Sequence, residues 1–322
     1  MLLFILLCRP YITCMKKWLI GSLTFAALLL LTAYIVIPAK FTVSNTVLLK
    51  ANPRGTYRCL TDDSKWEKLF GKKVGENSFE SNNNIFKVNQ KLLEGIEVII
   101  KGKDSSIASV IELLPLNNDS SGIKWTTTIE NSSNPFKKIQ QYFTAHSIHN
   151  SITIMLDSMK CFLEKEENIY GINVQRTKVK DTLLVATKNT LSNYPSIENV
   201  YTLISILRNY IKANDAVETG YPMLNVRTSD SIHFETMVAL PVNKFLNNHE
   251  RILHKEMVPG NILVTEAKGG LYNVAKAFNS LKDYVEDHQL QSPAIPFESL
   301  IIDRLHEPDT TKWITKIYYP IY

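Results

Sequence analysis

Apolar and polar positions change their rhythm as the chain proceeds, and each rhythm predicts a different kind of element. Residues 18–37 form an uncharged run of the length a helix needs to cross a bilayer. Phe41, Val43, Asn45, Val47 and Leu49 then alternate with their neighbours as a strand does. Ala51-Asn52-Pro53 opens a short helical stretch that reaches Asp62 and Trp66, and further strands are expected over 85–93, 94–101, 108–114 and 123–130. Ile152, Met155, Leu156, Met159, Phe162 and Leu163 recur at helical spacing and predict a long amphipathic helix.

The rest of the chain contains one pattern twice. Asn199, Val200, Leu207, Tyr210 and Pro222 reappear as Asn273, Val274, Leu281, Tyr284 and Pro296, always 74 positions later. The copies end on matching segments, 236–241 and 315–320, now 79 positions apart, so the second copy holds five more residues in a loop. Val200, Leu203, Ile204, Leu207 and Ile211 give one amphipathic helix; Val274, Ala277, Phe278, Leu281 and Val285 give its counterpart. A strand precedes each helix, at 182–187 and 261–266. Extended runs follow each proline, at 223–227 and 297–303, and closing strands lie at 233–240 and 313–321. Two such β-α-β-β units make a clamp with a seam on its pseudo-two-fold axis.

Gly269-Gly270-Leu271-Tyr272, the helix behind it, Pro296-Phe297-Glu298, and the closing Trp313 to Pro320 together resemble the GyrI-like effector-binding domain of multidrug-responsive bacterial regulators and their free-standing relatives. The resemblance covers residues 170–322. It implies a groove between the halves for a small amphipathic or aromatic ligand, with Tyr272, Glu298, Trp313, Lys316 and Tyr318 as the candidate lining. Relatives commonly carry glutamate where Lys316 stands, so the charge at that place is inverted here. Strand alternation puts Lys316 and Tyr318 on one face and Thr315, Ile317 and Tyr319 on the other. A groove-facing lysine favours anions or neutral acceptors unless a carboxylate such as Glu298 neutralises it; a lysine at the mouth simply reaches water. Residues 41–168, with their strand, Asn-Pro turn, Asp-x-x-x-Trp turn, run of strands and last helix, resemble the polyketide-cyclase/START-like (SRPBCC) helix-grip superfamily. Trp66, Trp125 and Phe143 are its candidate pocket or core aromatics. The expected architecture is α+β: a transmembrane anchor with its extension over 1–40, a helix-grip domain over 41–168 and the duplicated domain over 170–322.

Charge adds direction to the anchor. Met15-Lys16-Lys17 precedes the apolar run, no small-x-small cleavage site follows it, and basic flanks stay cytoplasmic, so an uncleaved single-pass anchor in the inner membrane with everything after Lys40 on the periplasmic side is expected. Met15 makes a more ordinary start than Met1. Four of the 36 basic side chains and none of the 31 acidic ones lie in residues 1–40, which leaves the remainder near neutrality. With no basic stripe, helix-turn-helix signature or zinc-finger spacing, nothing predicts nucleic-acid binding.

Catalytic signatures are absent from the sequence. There is no His-Glu-x-x-His, Gly-x-Ser-x-Gly, Walker loop or Cys-x-x-Cys, so no cofactor or metal is expected and the catalytic residues are unknown. His249 and His254, five apart, read as solvated loop histidines, and Cys59 and Cys161 either pair or stay as buried thiols. Three functions stay open. One is a membrane-tethered small-molecule binder without a DNA-binding domain. A second is a hydrolase of activated or strained molecules, with Glu298 and Tyr272 as its groups; the third is a scaffold that binds nothing.

Overall fold

A computed structural model describes residues 18–322 except 26, 30, 33, 39, 83, 103–105, 131, 133, 181 and 229–231. The flank Met15-Lys16-Lys17 and the extension 1–14 lie outside the described residues. The first helix, α1 (Trp18–Val36), has 19 residues and a mean hydropathy of 2.2, and none of it is buried among the described residues. Its length and composition suffice to cross a membrane.

Packing divides the chain into two compact units. The first comprises the described residues up to Leu49 with Tyr57–Leu116 and Ser120–Phe162, and the second Lys50–Thr56, Asn117–Asp119 and Leu163–Tyr322. Both rest on antiparallel sheets, so the class is α+β.

Apart from the first turn of α2 and the last residues of β6 and α4, which group with the second unit, the first unit runs β1 (Lys40–Leu49), α2 (Pro53–Thr61), α3 (Trp66–Phe70), β2 (Lys72–Gly75), β3 (Ser78–Ser81), β4 (Asn84–Leu92), β5 (Gly95–Lys101), β6 (Ser106–Asn117), β7 (Ser120–Glu130) and α4 (Pro135–Leu163). Its sheet has the order β1-β7-β6-β5-β4-β3-β2. The 29-residue α4 buries Ile148, Ile152, Met155, Leu156, Met159 and Leu163, a helical stripe that the apolar spacing announces. Hydrogen bonds tie α4 to the sheet. Asn45 Nδ2 donates to Thr153 Oγ1 at 2.8 Å, and Asn84 Nδ2 donates to Ser151 Oγ at 3.0 Å. Helix α3 and the β2–β3 hairpin are not foreseen from the pattern, because α3 is one turn long and β2 is exposed along its whole length.

Aromatics fill the middle of this unit. Trp125 meets Phe86 and Phe70 edge-on at 5.7 and 6.3 Å, and Trp66 meets Phe79 at 6.4 Å while its Nε1 donates to Leu60 O at 2.7 Å. Trp66 and Trp125 are therefore core, whereas Phe143 stands exposed beside Tyr142. Asp62 caps the turn before Trp66 by accepting from Ser64 N, which explains the Asp-x-x-x-Trp spacing. Cys59 is buried and free, and Cys161 is exposed and free, so the structure shows neither a disulfide nor two buried thiols.

The second unit follows α5 (Glu166–Tyr170) with β8 (Gln175–Lys178), β9 (Leu183–Leu191), α6 (Ile197–Ala213), β10 (Met223–Thr228), β11 (Phe234–Pro241), β12 (Leu253–Glu256), β13 (Asn261–Lys268), α7 (Leu271–Asp287), β14 (Phe297–Leu300) and β15 (Ile314–Ile321). One eight-stranded sheet has the order β12-β9-β11-β10-β14-β15-β13-β8. Read outward from its centre, the repeat partners β10 and β14, β11 and β15, and β9 and β13 stand at matching places, with β12 and β8 at the two edges. Helix α6 lies on β9 and β11, and α7 on β13 and β15. Val200, Leu203, Ile204, Leu207 and Ile211 are buried, as are Val274, Ala277, Leu281 and Val285.

Local capping differs between the copies. Ser196 and Asn199 form a reciprocal capping box at the start of α6. At the matching place in α7 stands Gly270, while Asn273 turns its Nδ2 to Lys268 O at 2.9 Å. Gly269 has φ +105°, and a Cβ there would come within 2.5 Å of Asn273 Nδ2. Gly269, the first of the Gly-Gly pair, is thus a backbone requirement of the tight entry into α7.

Candidate functional site

The two halves of the second unit join where β10 pairs with β14. Leu224 lies opposite Glu298, and Met223 opposite Ser299. Because side chains alternate along a strand, this short join presents different chemistry on its two faces.

On the helix-bearing face, Glu298 borders a cavity of about 180 Å³ walled by Tyr194, Leu224, Leu271, Val274, Phe278 and Phe297. Its side chain is 15 % exposed, and its Oε2 has no hydrogen-bond partner. Arg304 offers the nearest opposite charge, 3.9 Å away, an ion-pair distance too long for a hydrogen bond. Burial pushes the Glu298 carboxyl above the usual glutamate range, and Arg304 only partly offsets this. Burial likewise draws Arg304 down, against the pull of Glu298. The direction for the carboxylate follows from geometry, since an acceptor without donors is poorly solvated in its charged form.

Arg304 is held by other contacts. Its Nη2 donates to Thr315 Oγ1 at 2.8 Å, its backbone N donates to Tyr201 Oη at 2.7 Å, and its guanidinium lies 4.9 Å above the Trp313 ring. Trp313 is buried and donates Nε1 to Glu307 O at 2.8 Å. It supports the arginine from below and does not line the cavity. Tyr194 lines the cavity; burial first, and Glu298 second, push its phenol upward and keep it protonated. The site therefore offers one buried acceptor, a phenol and an aromatic wall.

The opposite face carries Lys316 and Tyr318. Tyr318 stacks on Phe297, its direct partner across β14–β15, with centroids 5.0 Å apart and planes 10° from parallel. Both lie on a cavity of about 410 Å³ with Lys316 and Ser299. The candidate residues thus fall on two sides of one sheet: Lys316 with Tyr318 on one, Glu298 on the other. Glu298 faces Arg304, not Lys316. Tyr272 stands 80 % exposed in the first turn of α7, away from both cavities. Tyr194 and Arg304 carry no sequence signal, because the repeat has no matching tyrosine or arginine at the offset positions and neither belongs to a motif.

No group of histidine, cysteine and acidic side chains that could hold a metal occurs among the described residues. His249 is solvated, but His254 is not. Its side chain is 9 % exposed against Phe245 at 4.2 Å, with Glu256 3.5 Å away and no hydrogen bond to either ring nitrogen.

No protein-family model matches the sequence, and neither does any curated protein. Among solved structures, the chain is similar to the EcmrR C-terminal domain, at 18 % identity and a TM-score of 0.41, over 47 % of this chain and 98 % of that one. A hydrolase from Listeria innocua is similar at 9 % identity and a TM-score of 0.36, over 47 % of this chain and 92 % of its own. The structure of SAV2435 bound to tetraphenylphosphonium is similar at 15 % identity and a TM-score of 0.31, over 47 % and 94 %.

Proposed function

We propose that the second unit is a small-molecule-binding domain of the GyrI-like kind, that its ligand enters the Glu298 cavity at the join of the two repeats, and that α1 anchors the chain in the inner membrane with both units on the periplasmic side. The first unit takes the helix-grip role in this reading. One observation supports the binding site above all: Glu298, whose buried Oε2 has no hydrogen-bond donor inside the protein, borders an aromatic-walled cavity. A ligand that brings a positive charge or an N–H donor on an aromatic body supplies what that oxygen lacks. A hydrolytic role for Glu298 with Tyr272 has no geometric support, since Tyr272 does not reach the cavity.

Titration of the full-length chain with tetraphenylphosphonium tests the reading. Saturable binding is expected, weaker by about tenfold in Glu298→Gln, because a charge-assisted contact is lost. Since burial raises the carboxyl, affinity should already decline as pH falls toward the ordinary glutamate range. Equal affinity in both proteins, or no saturable binding, rejects the Glu298 site.

A further inference from the structure

The helix-free face of the eight-stranded sheet is not covered by α6 or α7, and it is far from uniform. Leu184, Ala186 and Ala239 form a buried floor, with Met223 and Met257 packed against it. Together with Met237 they line a cavity of about 470 Å³. Small residues in the floor leave depth, and unbranched thioether side chains adapt to a flexible apolar guest. The cavity adjoins the 410 Å³ space beside Lys316, and Val179, Met223, Met257 and Phe297 line both. Each volume is of the size that holds a small-molecule ligand.

Charge distinguishes the two ends. Lys178, Lys180 and Lys316 border the second space, whose wall contains no carboxylate among the described residues. Glu266 stands directly across β13–β15 from Lys316, but its carboxylate is 3.9 Å from Lys268 Nζ. The lining of the apolar end includes one lysine, Lys255, and one glutamate, Glu256. The stacked Phe297 and Tyr318 rings line the same space as Lys316, so an apolar wall stands in the cavity that the ammonium borders.

We propose that this face is a second binding site, for a single-chain anionic amphiphile such as a long-chain carboxylate. The tail lies along Met223, Met237 and Met257, and the head group meets Lys316 with Lys178 and Lys180 near it. A cation of the same length meets three ammonium groups at the polar end, and an uncharged chain gains nothing there. This site lies on the other side of the sheet from Glu298 and does not depend on that cavity being used.

Photolabelling of the full-length chain in zwitterionic nanodiscs tests the proposal. The probes are a palmitate analogue with a diazirine in its chain, the amine of the same chain, and an anionic two-chain phospholipid bearing the same group, with adducts located by peptide mapping. The carboxylate probe should mark β10, β11 or the segment around Met257, and the amine should not. Lys316→Glu should reduce subsaturating carboxylate labelling about tenfold and admit the amine. Lys178→Glu, on an exposed edge strand, gives a smaller change in the same direction without touching the sheet's centre. Adducts elsewhere, equal labelling by the amine, indifference to both substitutions, or phospholipid labelling as strong as the carboxylate's would each overturn it. The cation titration against Glu298 reads the opposite cavity, so the two sites fail independently.

Discussion

Leu224 and Glu298 face each other across the β10–β14 join, and they are the same position in the two copies of the repeat, 74 residues apart. The pseudo-two-fold axis passes between them. One copy placed an apolar side chain there and the other an acid, so the symmetry of the backbone carries an asymmetric site.

Restoring symmetry with Leu224→Glu sets two carboxylates side by side in a buried setting. Both carboxyls then have folded-state pKa values above their unfolded ones, so their favourable contribution is complete below the ordinary glutamate range and is lost as pH rises through the folded values. The variant should be destabilised by about 3 kcal/mol or more near neutrality and recover as pH falls. Urea unfolding at several pH values reads this directly; a deficit independent of pH would point to lost packing of Leu224 instead.

Gly269→Ala asks a residue with a Cβ to hold φ +105° and to displace Asn273. A loss of about 1–3 kcal/mol is expected, with the start of α7 the first part to exchange its amides. The same change at Gly270, which has ordinary φ and nothing closer than 3.7 Å, should cost less. Thermal unfolding and hydrogen exchange of the two variants decide the order.

The thiols should behave as two separate groups. Burial pushes the Cys59 thiol up to about 11, while Cys161 is exposed. With Cys8 and Cys14 replaced by serine, an aromatic disulfide reagent should titrate Cys161 at once and Cys59 only on unfolding. A non-reducing digest that links the two peptides would contradict the structure.

The anchor reading predicts that alkaline phosphatase fused after Tyr322 is active and that a fluorescent cytoplasmic reporter at the same place is dark. The reverse pattern would put both units in the cytoplasm and end the periplasmic assignment.

Much of this architecture is legible in the sequence, for a physical reason. Helical stripes such as Ile152 to Leu163 and the duplicated Val200/Val274 and Leu207/Leu281 positions are set by burial, and burial has a period. Strand alternation likewise places Lys316 and Tyr318 together. Which face looks onto which cavity is a matter of how the halves join, and no periodicity encodes that; hence Glu298 and Lys316 share a strand pair but not a site. Tyr194 lines the cavity and Arg304 approaches Glu298 from irregular segments, where spacing carries no directional information. His254 reads as a loop residue yet is enclosed by Phe245, a contact between side chains nine positions apart that a pattern of polarity does not register.

The sheet at the β10–β14 join is one residue layer thick, and Glu298 and Ser299 are neighbours in the chain that look out on opposite sides of it. Register is therefore an address. A slip of one residue along β14 would send the acid to the methionine-lined face and bring Ser299 round to Arg304, exchanging the chemistry of both surfaces while leaving most backbone hydrogen bonds replaceable. Pro296, placed just before the strand, and Asn225, whose Nδ2 donates to Pro296 O at 2.9 Å, pin the segment where it enters. That clasp, with the Leu300 N to Pro222 O bond at 2.9 Å, holds the register that gives the carboxylate to one cavity and the serine to the other.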